Sequence, residues 1–400
     1  VDTVIVGMSN NSITASAARY QQLFGQLVGW ATTSTANSTT VASCAGTLSK
    51  LYIKSASGPG AGLTRTYVIE KNGVDQALTC SQSDTTTTAN DTLNTVSFSA
   101  GDALSLKTTA SGTTTGSGAI KWTLLATCAS NVSLVGSTAE GTLANGATSY
   151  MPVQGNSNAL AAASVTGIMP TDGTFRNARL LLNGSPGGSA SYTLTLQKNG
   201  VNTAITMTVS GTSTTASDLS DSASYSAGDT INWEVVPAGT PTARNCNIGI
   251  EFDPTINGES IAVFGNPNSA SASAVRFMVP QSAGGTYSST EDARSTLVQA
   301  CTIKKFYVAV STAPTTGNSL QFQISINNSA GNPSVTISDT NTSGSDTVNT
   351  VSPTVGQTLA VKITPFGTPA LGTNRWGFVY YIAPPASSTR GLLMMMGVGQ

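Results

Sequence analysis

Histidine is absent from this 400-residue chain, and charge is scarce: Lys, Arg, Asp and Glu together make up 9% of it. Without histidine, the commonest general base, nucleophile activator and catalytic metal ligand are all missing, which removes most hydrolase templates. The net charge of −1 contains no basic block, so the counterion release that drives nucleic-acid binding has no source. No apolar run reaches the roughly 18 to 20 residues that cross a bilayer as a helix, so no membrane span is expected. The opening Val1-Asp2-Thr3-Val4-Ile5-Val6-Gly7 carries no basic stretch ahead of a long apolar one, and no secretory signal is expected there. The cysteines, Cys44, Cys80, Cys128, Cys246 and Cys301, are odd in number and lack CxxC spacing, so neither a zinc site nor a complete disulfide framework is implied. They are expected as small buried hydrophobes, with a stray disulfide as the alternative.

What is present is 39% hydrophobic residue under a Ser/Thr/Asn/Gly-rich remainder, a balance that favours packed modules with a polar, uncharged surface. Self-comparison shows how they are arranged. Lys71-Asn72-Gly73-Val74 recurs as Lys198-Asn199-Gly200-Val201, and Ser99-Ala100-Gly101-Asp102 as Ser226-Ala227-Gly228-Asp229, both about 127 residues on. A diverged third copy keeps Gly367-Thr368 where the others have Gly112-Thr113 and Gly239-Thr240, and Trp376 where the first has Trp122. Segments at Gly7, Gly136 and Gly265 open the three units, giving modules at 1–130, 131–258 and 259–388 and an apolar segment at 389–400.

Inside a unit the apolar period is two: Tyr192, Leu194 and Leu196 alternate with polar residues, then Asn199-Gly200 turns the chain into Ile205, Met207 and Val209. The third copy is expected to make a longer connection here, through Asn328-Ser329-Ala330-Gly331-Asn332-Pro333. Seven to nine short strands per unit without a helix describe an all-β chain of three tandem antiparallel β-sandwich domains, jelly-roll-like, with an immunoglobulin-like sandwich as the alternative.

Candidate chemistry is thin. Glu234, Glu251 and Asp253 lie on or beside neighbouring strands, but alternating acids on strands are solvated faces, and no catalytic residue is assigned. Asp339 to Asp346 has the oxygen spacing of a calcium loop, but Thr350 stands where the closing glutamate belongs, so a polar hairpin loop is expected and no metal. Gly58-Pro59-Gly60-Ala61-Gly62 lacks the lysine and following helix of a phosphate loop, and no cofactor is expected. Trp122, Trp233 and Trp376 sit among apolar neighbours and are expected in cores, not as sugar-stacking platforms. Phe24 and Trp30 have no counterpart in the other copies and are candidates for a partner contact peculiar to the first. Leu392, Leu393, Met394, Met395 and Met396 form an apolar stretch that either adds a strand to the third module or docks into a neighbouring subunit.

The repeated Lys-Asn-Gly-Val, Ser-Ala-Gly-Asp and Gly-Thr-Pro turns between Thr-rich strands resemble β-sandwich modules of tailed-bacteriophage surface proteins, such as capsid decoration and fibre proteins. The resemblance spans residues 1 to 388, and the third copy departs from it at both turns. It implies a structural virion protein, not an enzyme, on the virion surface and bound to the major capsid protein or other virion subunits. Alternatives are a fibre or adhesin that recognises host-surface glycans, and a secreted bacterial carbohydrate-binding or filament-forming protein that self-associates outside the cell.

Overall fold

The computed structural model describes residues 1–13, 17–25, 29–34, 38–114, 116–139, 141–157, 165–283 and 285–385. Among them the chain is all-β, with mostly antiparallel sheets and one three-residue 3-10 turn, Asp292–Arg294.

The strands fall into three sets in chain order. The first comprises β1 (Asp2–Ser9), β2 (Arg19–Gln21), β3 (Thr40–Val41), β4 (Gly46–Ser55), β5 (Gly60–Lys71), β6 (Val74–Asp84), β7 (Thr88–Phe98), β8 (Ala103–Ala110) and β9 (Ile120–Cys128). The second comprises β10 (Ser133–Ala139), β11 (Ser149–Met151), β12 (Gly155–Ser157), β13 (Gly167–Ile168), β14 (Gly173–Leu182), β15 (Ser191–Lys198), β16 (Val201–Ser210), β17 (Thr215–Tyr225), β18 (Thr230–Ala238) and β19 (Cys246–Pro254). The third comprises β20 (Glu259–Asn266), β21 (Arg276–Met278), β22 (Ser282–Ala283), β23 (Thr296–Leu297), β24 (Thr302–Val310), β25 (Thr315–Ile326), β26 (Ser329–Asp339), β27 (Ser343–Asp346), β28 (Thr358–Phe366) and β29 (Asn374–Tyr381).

Each set builds two facing sheets in the same order. In the first these are β1-β9-β4-β7 and β2-β8-β5-β6, with β3 also on β8. In the second they are β12-β10-β19-β14-β17 and β11-β18-β15-β16, and in the third β22-β20-β29-β24-β27 and β21-β28-β25-β26. Even the irregularities repeat: Lys50, Asn177 and Lys305 each take a φ between 53° and 56° at the same register shift in β4, β14 and β24. Such a left-handed residue inserted into a ladder is a β-bulge, which bends the strand.

The hairpin readings hold for the first two sets, where Asn72-Gly73 and Asn199-Gly200 both have positive φ. The third departs from the expected long connection. β26 starts at Ser329, and the turn is Asn327-Asn328, with φ of 49° and 63°. Asparagine tolerates the left-handed region well enough to make the tight turn without glycine. The extra residues Asn332 and Pro333 are absorbed as a register shift inside the hairpin. A second adjustment concerns the unit openings. The ladders place Gly7 opposite Trp122, Ser137 opposite Ile248 and Phe264 opposite Trp376, so the glycines chosen from sequence are offset by one in two units.

The opening strands β1, β10 and β20 are buried along nearly their whole length, on both faces. One face enters the strand's own core through Ile5, Val135 and Ala262. The other enters the next set: Val4, Val6 and Met8 fill the third core, Ile261 and Val263 the second, and Leu134 the first. These contacts therefore run from first to third to second and back to first. Backbone and hydroxyl groups seal the same circuit. Leu134 N–H donates to Thr3 Oγ1 (2.9 Å), Val4 N–H to Ser260 Oγ (3.4 Å), and Ser133 Oγ to the Glu259 carbonyl (3.2 Å).

A second circuit runs through the short strands, β3 lying on β19, β13 on β29 and β23 on β9. Two of these crossings require glycine, because a Cβ at Gly249 or Gly377 would sit 2.0 Å from the Val41 or Ile168 carbonyl oxygen.

Burying an aliphatic side chain contributes about 1.5 to 3 kcal/mol, so Leu134→Ala should cost about 2 to 5 kcal/mol. The damage should appear in the first set, although Leu134 belongs to the second. Thiol labelling of Cys80, which lies in the first core, is expected to accelerate in this variant relative to labelling of Cys246 in the second. Equal acceleration at both would contradict the borrowed-core packing.

Candidate functional site

The two repeated motifs meet in space. Asn72 Nδ2 donates to Asp102 Oδ1 (2.7 Å) while Ala103 N–H donates to Asn72 Oδ1 (2.8 Å), and Asn199 makes the same pair of bonds with Asp229 and Thr230. The third set keeps half of this clasp, Thr358 N–H to Asn327 Oδ1 (2.9 Å). The motifs thus tie one turn to the next at one end of each sandwich.

Another triad escaped sequence comparison: Asp91, Asp218 and Asp346. Each accepts two local backbone N–H groups and a third from the facing strand, from Thr79, Thr206 and Ser334 at 2.9 to 3.0 Å. Burial pushes each carboxyl up, and these hydrogen bonds more than offset it, holding all three below the usual aspartate range. The calcium-like loop is explained the same way. Asp346 is committed to backbone amides, and Asp339 Oδ1 accepts Gly317 N–H (2.8 Å), as Asp84 accepts Gly62 N–H. Among the described residues no cluster of acids and cysteines is placed to hold a metal ion.

The carboxylates on neighbouring strands in sequence are separated by the fold. Glu234 lies on β18 in one sheet and bonds Asn202, while Glu251 and Asp253 lie on β19 in the facing sheet and are held by Arg176 and Asn177. The expectation that they occupy adjacent strands is corrected.

Two further charged groups sit between sets. Fully buried Glu259 pairs with Lys304 and Lys305 (3.0 and 2.8 Å) and accepts a hydrogen bond from Thr171 of the second set (2.6 Å). Burial raises its carboxyl, but the bonds from Lys305, Thr171 and Lys304 win, and it lies below the usual glutamate value. Lys121 reaches from the first set to Asp292 and Ser295 of the third, beside a cleft of about 200 Å³ that Lys54 also lines. With Lys121 already paired, this cleft offers no free charge cluster.

Trp122, Trp233 and Trp376 are fully buried, as expected. Trp122 Nε1 donates to the Leu23 carbonyl and Trp376 Nε1 to the Pro280 carbonyl, one bond made twice. Phe24 is also fully buried, its ring lying where a Cβ on Gly136 would be 2.8 Å away. Its partner is the second set of the same chain. At the corresponding junctions stand Gln154, which bonds Ile261 O and Val263 N–H, and Gln281, which bonds Val6 O. Trp30 is half-buried against the first core, 6.1 Å from Trp122. Leu392, Leu393, Met394, Met395 and Met396 lie outside the described residues.

Cys44 and Cys128 form a disulfide across the ends of β4 and β9, so the alternative held for the cysteines applies to this pair. Cys80 and Cys246 are buried free thiols, pushed up to about 12 and higher still by desolvation.

The surface sites are modest. A neutral groove of about 490 Å³ in the third set is lined by Ile324, Ile326, Asn332, Val351 and Pro353. Exposed apolar residues repeat: Val74 and Val201 occupy one position, and Leu93, Leu219 and Val348 lie beside the three aspartate loops. No described helix is long and apolar enough to cross a membrane.

The depressed aspartates make a signed prediction. Their stabilisation is present above the unfolded value of about 3.9 and is lost as pH falls through their lower folded values. The variant D91N/D218N/D346N should lose roughly 1 to 3 kcal/mol per site at pH 7, and its deficit against the parent chain should shrink by pH 2.5. Urea unfolding at both pH values measures this, and an unchanged deficit would contradict it. No protein family profile and no curated protein sequence matches the chain.

Proposed function

We propose that the chain is a structural assembly protein that decorates the outside of a particle, the capsid of a tailed bacteriophage. On this reading it consists of three jelly-roll modules, with boundaries near residues 130 and 258, wound into a threefold-like ring by a single polypeptide. The strand orders support the jelly-roll assignment, since the first strand pairs with the last and each sheet draws strands from both halves of its set.

The observation that carries the functional reading is the closed circuit of contacts among the opening strands. Head-to-tail contacts that close on themselves generate a ring. A ring of three like modules presents three like faces about one axis, which matches the local threefold positions of a shell. The non-enzymatic reading draws support from Asp91, Asp218, Asp346 and Glu259, whose carboxylates are held by backbone amides and lysines. The role needs only rigid, polar, uncharged modules, and the composition supplies them.

Copy number and position on purified particles test the proposal. Quantitative mass spectrometry is expected to find the chain at a fixed ratio to the shell subunit, with imaging placing it on the outer capsid surface. Its absence from particles, its restriction to a tail, or saturable glycan binding by the isolated chain would overturn the decoration role in favour of a secreted or adhesive one.

A further inference from the structure

The loops of each set gather at two ends, and the ends differ. At one, Ala42 N–H bonds Asp102 O and Ala129 N–H bonds Ala45 O, with Met169 to Asp229 O and Val298 to Gln357 O as counterparts. Val1, Asp2, Asn131, Asn257, Gly258 and Pro385 line one cleft there, so the links between sets and the exit of the described chain share this junction end.

Each set places an exposed valine at the same end. Val74 and Val201, 62% and 68% exposed, follow the clasped Asn-Gly turns. The third set has Ser329 at that position and instead exposes Val355, 37%, from the adjoining turn. Ile256, 45% exposed, lies on the link between the second and third sets. The charges beside these valines are already engaged, Lys198 with Asp229 (3.0 Å) and Lys71 with the Ser97 carbonyl (2.9 Å). The opposite end exposes Val236, which corresponds to Thr109 and Thr364, and Phe366, which corresponds to Ala238, so its exposed large apolar residues come from the second and third sets alone. Residues 386–400, which follow Pro385, include Leu392, Leu393 and three consecutive methionines.

We infer that the junction end is the docking face of the ring. Its occupant is a neutral protein surface with three apolar depressions related by a threefold axis, the outer surface of the shell. This rests on the assembly role proposed above. Three weak apolar contacts held on one rigid body act together, so modest valines suffice for firm attachment. Pairing of the nearby charges leaves apolar burial as the recognising force.

The test adds purified full-length chain back to particles that lack it and measures co-sedimentation. Two variants are compared: V74E/V201E/V355E at the junction end and T85E/T212E/T340E at the opposite end. Circular dichroism checks that each keeps the parent melting temperature. The junction variant is expected to bind about a hundredfold more weakly or worse, with each single substitution costing about tenfold, because a carboxylate is forced into an apolar contact. The opposite-end variant should bind within about threefold of the parent. Loss at the opposite end with the junction end intact would overturn the inference and leave the assembly role standing. Failure of the parent chain itself to bind would overturn both.

Discussion

Everything in this molecule depends on three strands that have no solvent-facing side. β1, β10 and β20 each give one face to their own sandwich and the other to the next, so no set owns a complete core. A strand buried on both faces behaves like a central strand of a larger protein, and its apolar side chains cannot be satisfied by one strand set of this size. Because the third set's core is completed by β1, the start of the chain closes a circuit that its later part opens.

The threefold pattern is approximate, and its departures are informative. Two junctions are made by glutamines that bond a neighbouring opening strand, while the third substitutes Phe24 against Gly136. A disulfide joins only the first set's ends, and the buried Glu259 group exists only between the second and third. A chain that carries all three strand sets can vary each junction independently, which a trimer of identical subunits cannot do. Each junction can therefore be tuned without copying a fault to the other two.

Much of the fold was legible because it was written in turns. Asn-Gly pairs and alternating residues such as Tyr192, Leu194 and Leu196 fixed the hairpins, and the repeat of Trp122 in Trp376 marked one core position twice. The opening strands were recognised only as unit starts, because period two disappears when both faces are buried. Phe24 and Trp30 stood out by lacking counterparts, but a sequence does not say whether an unmatched aromatic faces solvent or a neighbouring module. Asn327-Asn328 was passed over because asparagine alone is a weaker turn signal than Asn-Gly. The Asp91, Asp218 and Asp346 triad was visible in principle, at the repeat spacing and one or two residues before the exposed Leu93, Leu219 and Val348, but acids in polar loops attract no notice until their amide partners are seen.

Closure of the circuit is the central claim, and small-angle scattering in solution reads it directly. A chain of 400 residues closed by this circuit should have a radius of gyration of about 21 Å. Three strand sets strung as a rod would exceed about 30 Å, and that result would contradict the account.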